Sequence, residues 1–102
     1  MVVIKWTDQS LDDIQNIAAF ISRDSRKYAR IMVSRIMERT LILKSQPQAG
    51  RIVPELKKEN VRELILGNYR IIYRIVTKKQ IDIMTVHHSS RLISNNPYLD
   101  FI

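Results

Sequence analysis

The chain is 102 residues long, 45% hydrophobic and 26% charged, with a formal charge of +7 and no cysteine. That length bounds it to one domain, residues 1–102, with ordinary globular composition and enough apolar content for a core. Disulfides and thiolate metal sites are excluded, no apolar run approaches the roughly 18 residues that span a bilayer, and the N-terminus has no signal-peptide pattern, so a cytoplasmic protein with no membrane partner is expected.

Taken in order, Val2 to Trp6 is a short β-prone run with Lys5 facing away from Ile4 and Trp6. Ser10 and Asp13 have the spacing of a capping pair, and Asp8, Asp12 and Asp13 suit the positive end of a helix dipole. Leu11, Ile14, Ile17, Ala18 and Ile21 then recur at helical spacing, which predicts a first helix over 8–22. A polar break at 22–25 leads to a second helix over 26–45, with Ala29, Met32, Val33, Ile36, Thr40 and Leu43 on one face. Pro47 and Gly50 end it and open a loop that runs to Asn60.

Val61 to Arg91 holds three runs rich in Ile, Val and Tyr, separated by turn signals at Gly67-Asn68 and Thr77 to Gln80. Such runs read as consecutive antiparallel strands. The tail from Leu92 to Ile102 carries Tyr98, Leu99 and Phe101, residues suited to packing on the body. The order β-α-α-β-β-β describes an α+β fold, an antiparallel sheet with an αα-hairpin packed on one face.

In the middle strand Arg70 and Arg74 alternate with Tyr69, Ile71, Tyr73 and Ile75, so the two arginines share one face, about 13 Å apart at four rises. Between Arg51 and Arg91 nine Lys or Arg stand against four Asp or Glu. A guanidinium fork matches phosphate or carboxylate oxygens, so Arg62, Arg70, Arg74 and Arg91 are candidates for binding an anionic partner. The same arginines have internal partners available in Glu55, Glu59, Glu63 and Asp82.

Of the adjacent His87 and His88, only one can share the arginine face, and the strand register decides which. Either suits proton transfer at neutral pH, or a half-buried position at a strand end. No metal or other cofactor is expected: the histidine spacing is wrong for zinc and no third ligand is evident. Ser89-Ser90 has no orienting third residue for a triad, and Gly50 and Gly67 are too isolated for a phosphate loop.

The motifs Pro47-x-x-Gly50-Arg51, Val53-Pro54-Glu55, Arg62-Glu63-Leu64, Asn68-Tyr69-Arg70-Ile71-x-Tyr73-Arg74 and Val86-x-His88-Ser89-Ser90-Arg91 together resemble the RelE/ParE superfamily, the toxins of bacterial type II toxin–antitoxin pairs. The resemblance covers nearly the whole chain. It implies a plasmid-stabilisation type of toxin that arrests growth, held as a hetero-oligomer by a cognate antitoxin. RelE-like members are ribosome-dependent mRNA endoribonucleases, whereas ParE-like members share the scaffold and inhibit DNA gyrase by binding.

Aligned on Tyr69-Arg70, the ribonuclease strand arginine is Arg70, but its lysine pair falls on Val61 and Glu63 and its second arginine on Ser89, with Arg91 two residues on. Its terminal tyrosine falls on Asn95, with Tyr98 three residues on. A glutamate where a lysine should steady an anionic transition state favours the gyrase branch. The implied binding set for target or antitoxin is Arg51, Arg62, Arg70, Arg74, His88 and Arg91. Were the chain a ribonuclease acting on mRNA at the ribosome, Arg70, His87, His88 and Arg91 would be its catalytic set.

Overall fold

The computed structural model describes residues 1–89. The elements are β1 (Val3–Trp6), α1 (Asp8–Ser22), α2 (Arg26–Arg39), a 3-10 turn (Thr40–Lys44), β2 (Arg51–Ile52), β3 (Val61–Leu66), β4 (Tyr69–Thr77) and β5 (Gln80–His88). The α+β architecture read from the sequence is the one observed, with both helices on one face of the sheet. The sheet order is β1-β5-β4-β3-β2.

Two features of the sheet differ from expectation. It is mixed, because β1 runs parallel to β5, with Val3 opposite Gln80 and Trp6 opposite Ile83. The helix hairpin carries the chain from β1 across one face, so β1 takes the free edge of the final strand. Arg51 and Ile52, placed in a loop by their sequence, add a fifth strand against β3. Two residues are too few to show an alternating pattern.

Thr7, and not Ser10, is the N-cap of α1: its hydroxyl accepts from the Ser10 backbone N–H at 3.1 Å. That frees Asp13 for a different task. Strand β5 bulges opposite the Ile72/Tyr73 step, which loosens its ladder. The Thr7 hydroxyl donates to the Ile83 and Met84 carbonyls at 2.8 and 3.0 Å. The Asp13 carboxylate accepts from the Thr85 hydroxyl and, at 3.0 Å, from the Val86 N–H. The first turns of α1 thus satisfy the backbone groups that the bulge displaces.

Helix α2 is capped by Ser25, whose hydroxyl accepts from the Tyr28 N–H at 3.0 Å. It keeps α-helical form only to Arg39, shorter than expected; the Thr40 hydroxyl donates to the Met37 carbonyl and the chain tightens into the 3-10 turn.

The main core lies between the helices and the sheet. Ile14, Ile36 and Leu43 pack there against Leu64, Ile71, Tyr73, Ile81, Ile83 and Val86. A second, smaller cluster of Val53, Val61 and Ile72, flanked by Leu56, lies on the opposite face. It seats the loop between β2 and β3 on the sheet. Gly67 opens the two-residue turn from β3 to β4 at φ 56°, a conformation that favours glycine.

Tyr73 joins the layers. Its side chain is buried, and its hydroxyl donates to the Pro47 carbonyl at 2.7 Å and accepts from the Gly50 N–H at 3.0 Å. Gly50 is required by space: a Cβ there would lie 2.5 Å from the Glu63 carbonyl oxygen and 2.8 Å from the Tyr73 hydroxyl.

Candidate functional site

Alternation along β4 sends Tyr69, Ile71 and Tyr73 toward the helices and Arg70, Ile72 and Arg74 to the other face. The register sets Arg70 opposite Ile65 of β3 and His87 of β5, and Arg74 opposite Val61 and Asp82. Glu63 lies across from Ile72 on one side and Arg51 on the other. Arg51, Glu63, Arg70 and His87 therefore belong to one face.

Glu63 is the centre of that face. Its side chain is fully buried, and it accepts from Arg51 Nε at 2.7 Å and from Arg70 Nε at 2.6 Å. Arg70 uses its two terminal nitrogens on Glu55, Nη1 to Oε2 at 2.8 Å and Nη2 to Oε1 at 2.9 Å. A guanidinium with two carboxylates around it has its strongest donors committed. Two arginines and two glutamates leave the network neutral.

Glu55 reaches Arg70 because Val53 and Leu56 anchor its loop in the smaller cluster. Lys57, in the next turn of the loop, adopts φ 54°. The hydrogen bond from Arg70 holds the Glu55 carboxyl down at about 2, from the usual 4.5, outweighing the opposing push of partial burial. The Glu55 hydrogen bond, followed by that to Glu63, in turn holds the Arg70 guanidinium further above its ordinary range against the effect of burial.

The other expected site residues do not join this group. Arg62 lies opposite Tyr73, on the helix side, and donates to the carbonyls of Glu59 and Gly50, both at 3.0 Å. Arg74 shares the face of Arg70 but stands 4.0 Å from Asp82 with its side chain 34% exposed. Arg91, and the tail residues Tyr98, Leu99 and Phe101, lie outside the described residues.

The register also separates the two histidines. His87 is the cross-strand partner of Arg70 and is buried. His88 is opposite Tyr69, with the rings edge-on at 5.3 Å, on the helix side. There it lines an open groove of about 530 Å³ with Asp13, Asn16, Phe20, Arg23 and Tyr69. The expected binding set of Arg51, Arg62, Arg70, Arg74 and His88 is thus divided between the two faces of the sheet.

Glu63 was visible in the sequence as an internal-pairing candidate and as the glutamate at a ribonuclease lysine position, but its burial was not. The structural roles of Asp13 and Tyr73 gave no sequence signal beyond residue type. Among the described residues no group of three or more His, Asp or Glu is placed to hold a metal ion. No helix among them is long and apolar enough to cross a membrane.

Comparison with known proteins bears on what this scaffold is. The model of the ParE toxin of the type II toxin–antitoxin system parDE matches residues 4–93. Y4kP of Sinorhizobium fredii, a candidate toxin, is 33% identical over 88 residues, which cover 84% of this chain and 86% of that protein. A solved structure of the chromosomal ParDE TA system from P. aeruginosa superposes with a TM-score of 0.70 over 86% of this chain and 96% of that one, at 24% identity, a likeness of fold. Together with the five-stranded α+β scaffold and its Tyr69-Arg70 strand, these matches assign the family: the chain belongs to the ParE toxins of type II toxin–antitoxin systems.

Proposed function

We propose that this toxin inhibits DNA gyrase by binding it, acts in the cytoplasm, and is neutralised by a cognate antitoxin whose flexible segment orders on contact. The observation that carries the binding mode is the engagement of Arg70. Phosphoryl transfer on RNA needs cations free to meet charge that develops in the transition state. Here the arginine matching the ribonuclease position is shared by Glu55 and Glu63. A buried carboxylate stands where the ribonuclease has a lysine, which opposes an anionic transition state. His87 is beside Arg70 but buried, away from an RNA strand.

The direct test is a supercoiling assay with purified gyrase and relaxed plasmid, run beside an in vitro translation reaction. The toxin is expected to block supercoiling and accumulate cleaved plasmid while ribosome-bound mRNA stays intact. Cut mRNA with undisturbed gyrase would reverse the assignment to the ribonuclease branch. Addition of the antitoxin is expected to restore supercoiling.

A further inference from the structure

The arginines of the sheet are largely answered within the molecule, whereas those of the helix hairpin are not. Between Arg23 and Lys44 seven basic residues stand against Asp24 and Glu38. The ion pairs Arg51–Glu63, Arg70–Glu55, Arg70–Glu63 and Arg74–Asp82 each use an arginine of the sheet, and none of them reaches this stretch. Arg39 donates to the Ile65 carbonyl at 3.2 Å, and Arg23 lies 5.7 Å over the Phe20 ring; neither contact neutralises a charge.

The same surface carries apolar side chains. With Ala29 and Ile36 facing the core, helical spacing turns Lys27, Arg30, Ile31 and Arg35 outward. Ile31 is one turn from both Lys27 and Arg35. Ile31, Met37 and Leu41 are 37%, 42% and 53% exposed. Five of the seven cations are arginine, which together with Met and aromatic residues is enriched in protein interfaces, where lysine is depleted. Nucleic acid would answer the charges and leave the apolar residues against phosphate. A protein surface answers both.

We propose that the outer face of α2 and its 3-10 turn is the surface by which this toxin docks on its protein target, and that the target offers carboxylates interleaved with apolar side chains. The proposal rests on the reading that the chain is a toxin acting by binding, and it moves the contact from the sheet to the hairpin. Oppositely charged patches speed encounter and fix register, and the apolar residues between them hold the complex.

The experiment expresses the full chain without antitoxin and follows growth arrest, with purified protein assayed on gyrase in parallel. The combined variant Arg26→Glu, Lys27→Glu, Arg30→Glu alters only exposed residues, and circular dichroism and thermal melting establish that it folds. It is expected to lose growth arrest and to need at least about tenfold more protein for half-inhibition of gyrase. The pair Ile31→Asn, Leu41→Asn, with charge unchanged, is expected to weaken the toxin by about tenfold as well. The turn variant Lys78→Glu, Lys79→Glu, with the same kind of charge change, is expected to remain toxic.

A folded hairpin variant as toxic as wild type would overturn the proposal. So would full toxicity of the apolar pair combined with tight, salt-sensitive binding of duplex DNA by the wild type, which would make the partner a nucleic acid. Hairpin-dependent arrest with gyrase untouched would uphold the docking face and remove gyrase as the target. A wild-type chain that does not arrest growth would remove both.

Discussion

Replacing Tyr73 by Phe tests whether one hydroxyl secures the loop beneath the arginine network. The change keeps the ring in the core and deletes two hydrogen bonds, 2.7 Å to the Pro47 carbonyl and 3.0 Å from the Gly50 N–H. The Gly50 N–H is buried and would be orphaned, while the half-buried Pro47 carbonyl can turn to water. One orphaned donor plus one exchanged bond amounts to about 2 kcal/mol. For a domain of this length that lowers Tm by roughly 10 °C. Urea melts with an unchanged m-value and a lower midpoint would confirm a loss of native interactions.

The same variant has a signature in pH. Burial raises the Tyr73 phenol above its usual 10.0, so the neutral form is favoured in the folded state. That contribution is complete below pH 10 and is lost as pH rises through the folded value. Wild type is therefore expected to lose part of its advantage over the variant in strong alkali. A Tm within about 3 °C of wild type would refute the reasoning, since it would mean that water replaces both partners freely.

Other substitutions probe the remaining contacts. Glu63→Ala removes a fully buried carboxylate from between two guanidinium groups and is expected to destabilise by about 3–5 kcal/mol in chemical denaturation. Glu55→Gln should cost about 1 kcal/mol or less, because the Glu55 side chain is 43% exposed and its charge is screened. Its folded pKa lies below the usual 4.5, so its contribution is present above pH 4.5 and vanishes as pH falls through about 2; the variant should lack that part of the acid limb in melts across the range. Asp13→Ala deprives the Thr85 hydroxyl and the Val86 N–H of their acceptor, and hydrogen exchange at Val86 should rise with a stability loss of about 2 kcal/mol. Lys57→Gly relieves a left-handed backbone at φ 54° and should stabilise by about 0.5–1 kcal/mol, detected as a higher urea midpoint.

The fold was legible because its signals are local. Apolar recurrence at Ile14, Ile17 and Ile21 marks α1, and Gly67-Asn68 marks the β3–β4 turn. The alternation in β4 placed Arg70 and Arg74 together without knowledge of the neighbouring strands. What the sequence could not supply depends on pairing across the chain. The bulge in β5 decides how Thr85 and Val86 meet Asp13, and the register decides which histidine faces Arg70. The burial of Glu63 follows from the loop at Val53 and Leu56 folding over its face, a long-range packing event with no local motif. The lysine-to-glutamate difference at Glu63 was readable from resemblance; that this glutamate holds two arginines was not.

The parallel pairing of β1 with β5 has a bearing on how the protein is made. Val3 has no strand to lie against until Gln80 has left the ribosome. Pairings between such distant segments close slowly. The nascent chain therefore remains an unfinished platform until its last strand emerges, and the first strand then closes the sheet's far edge.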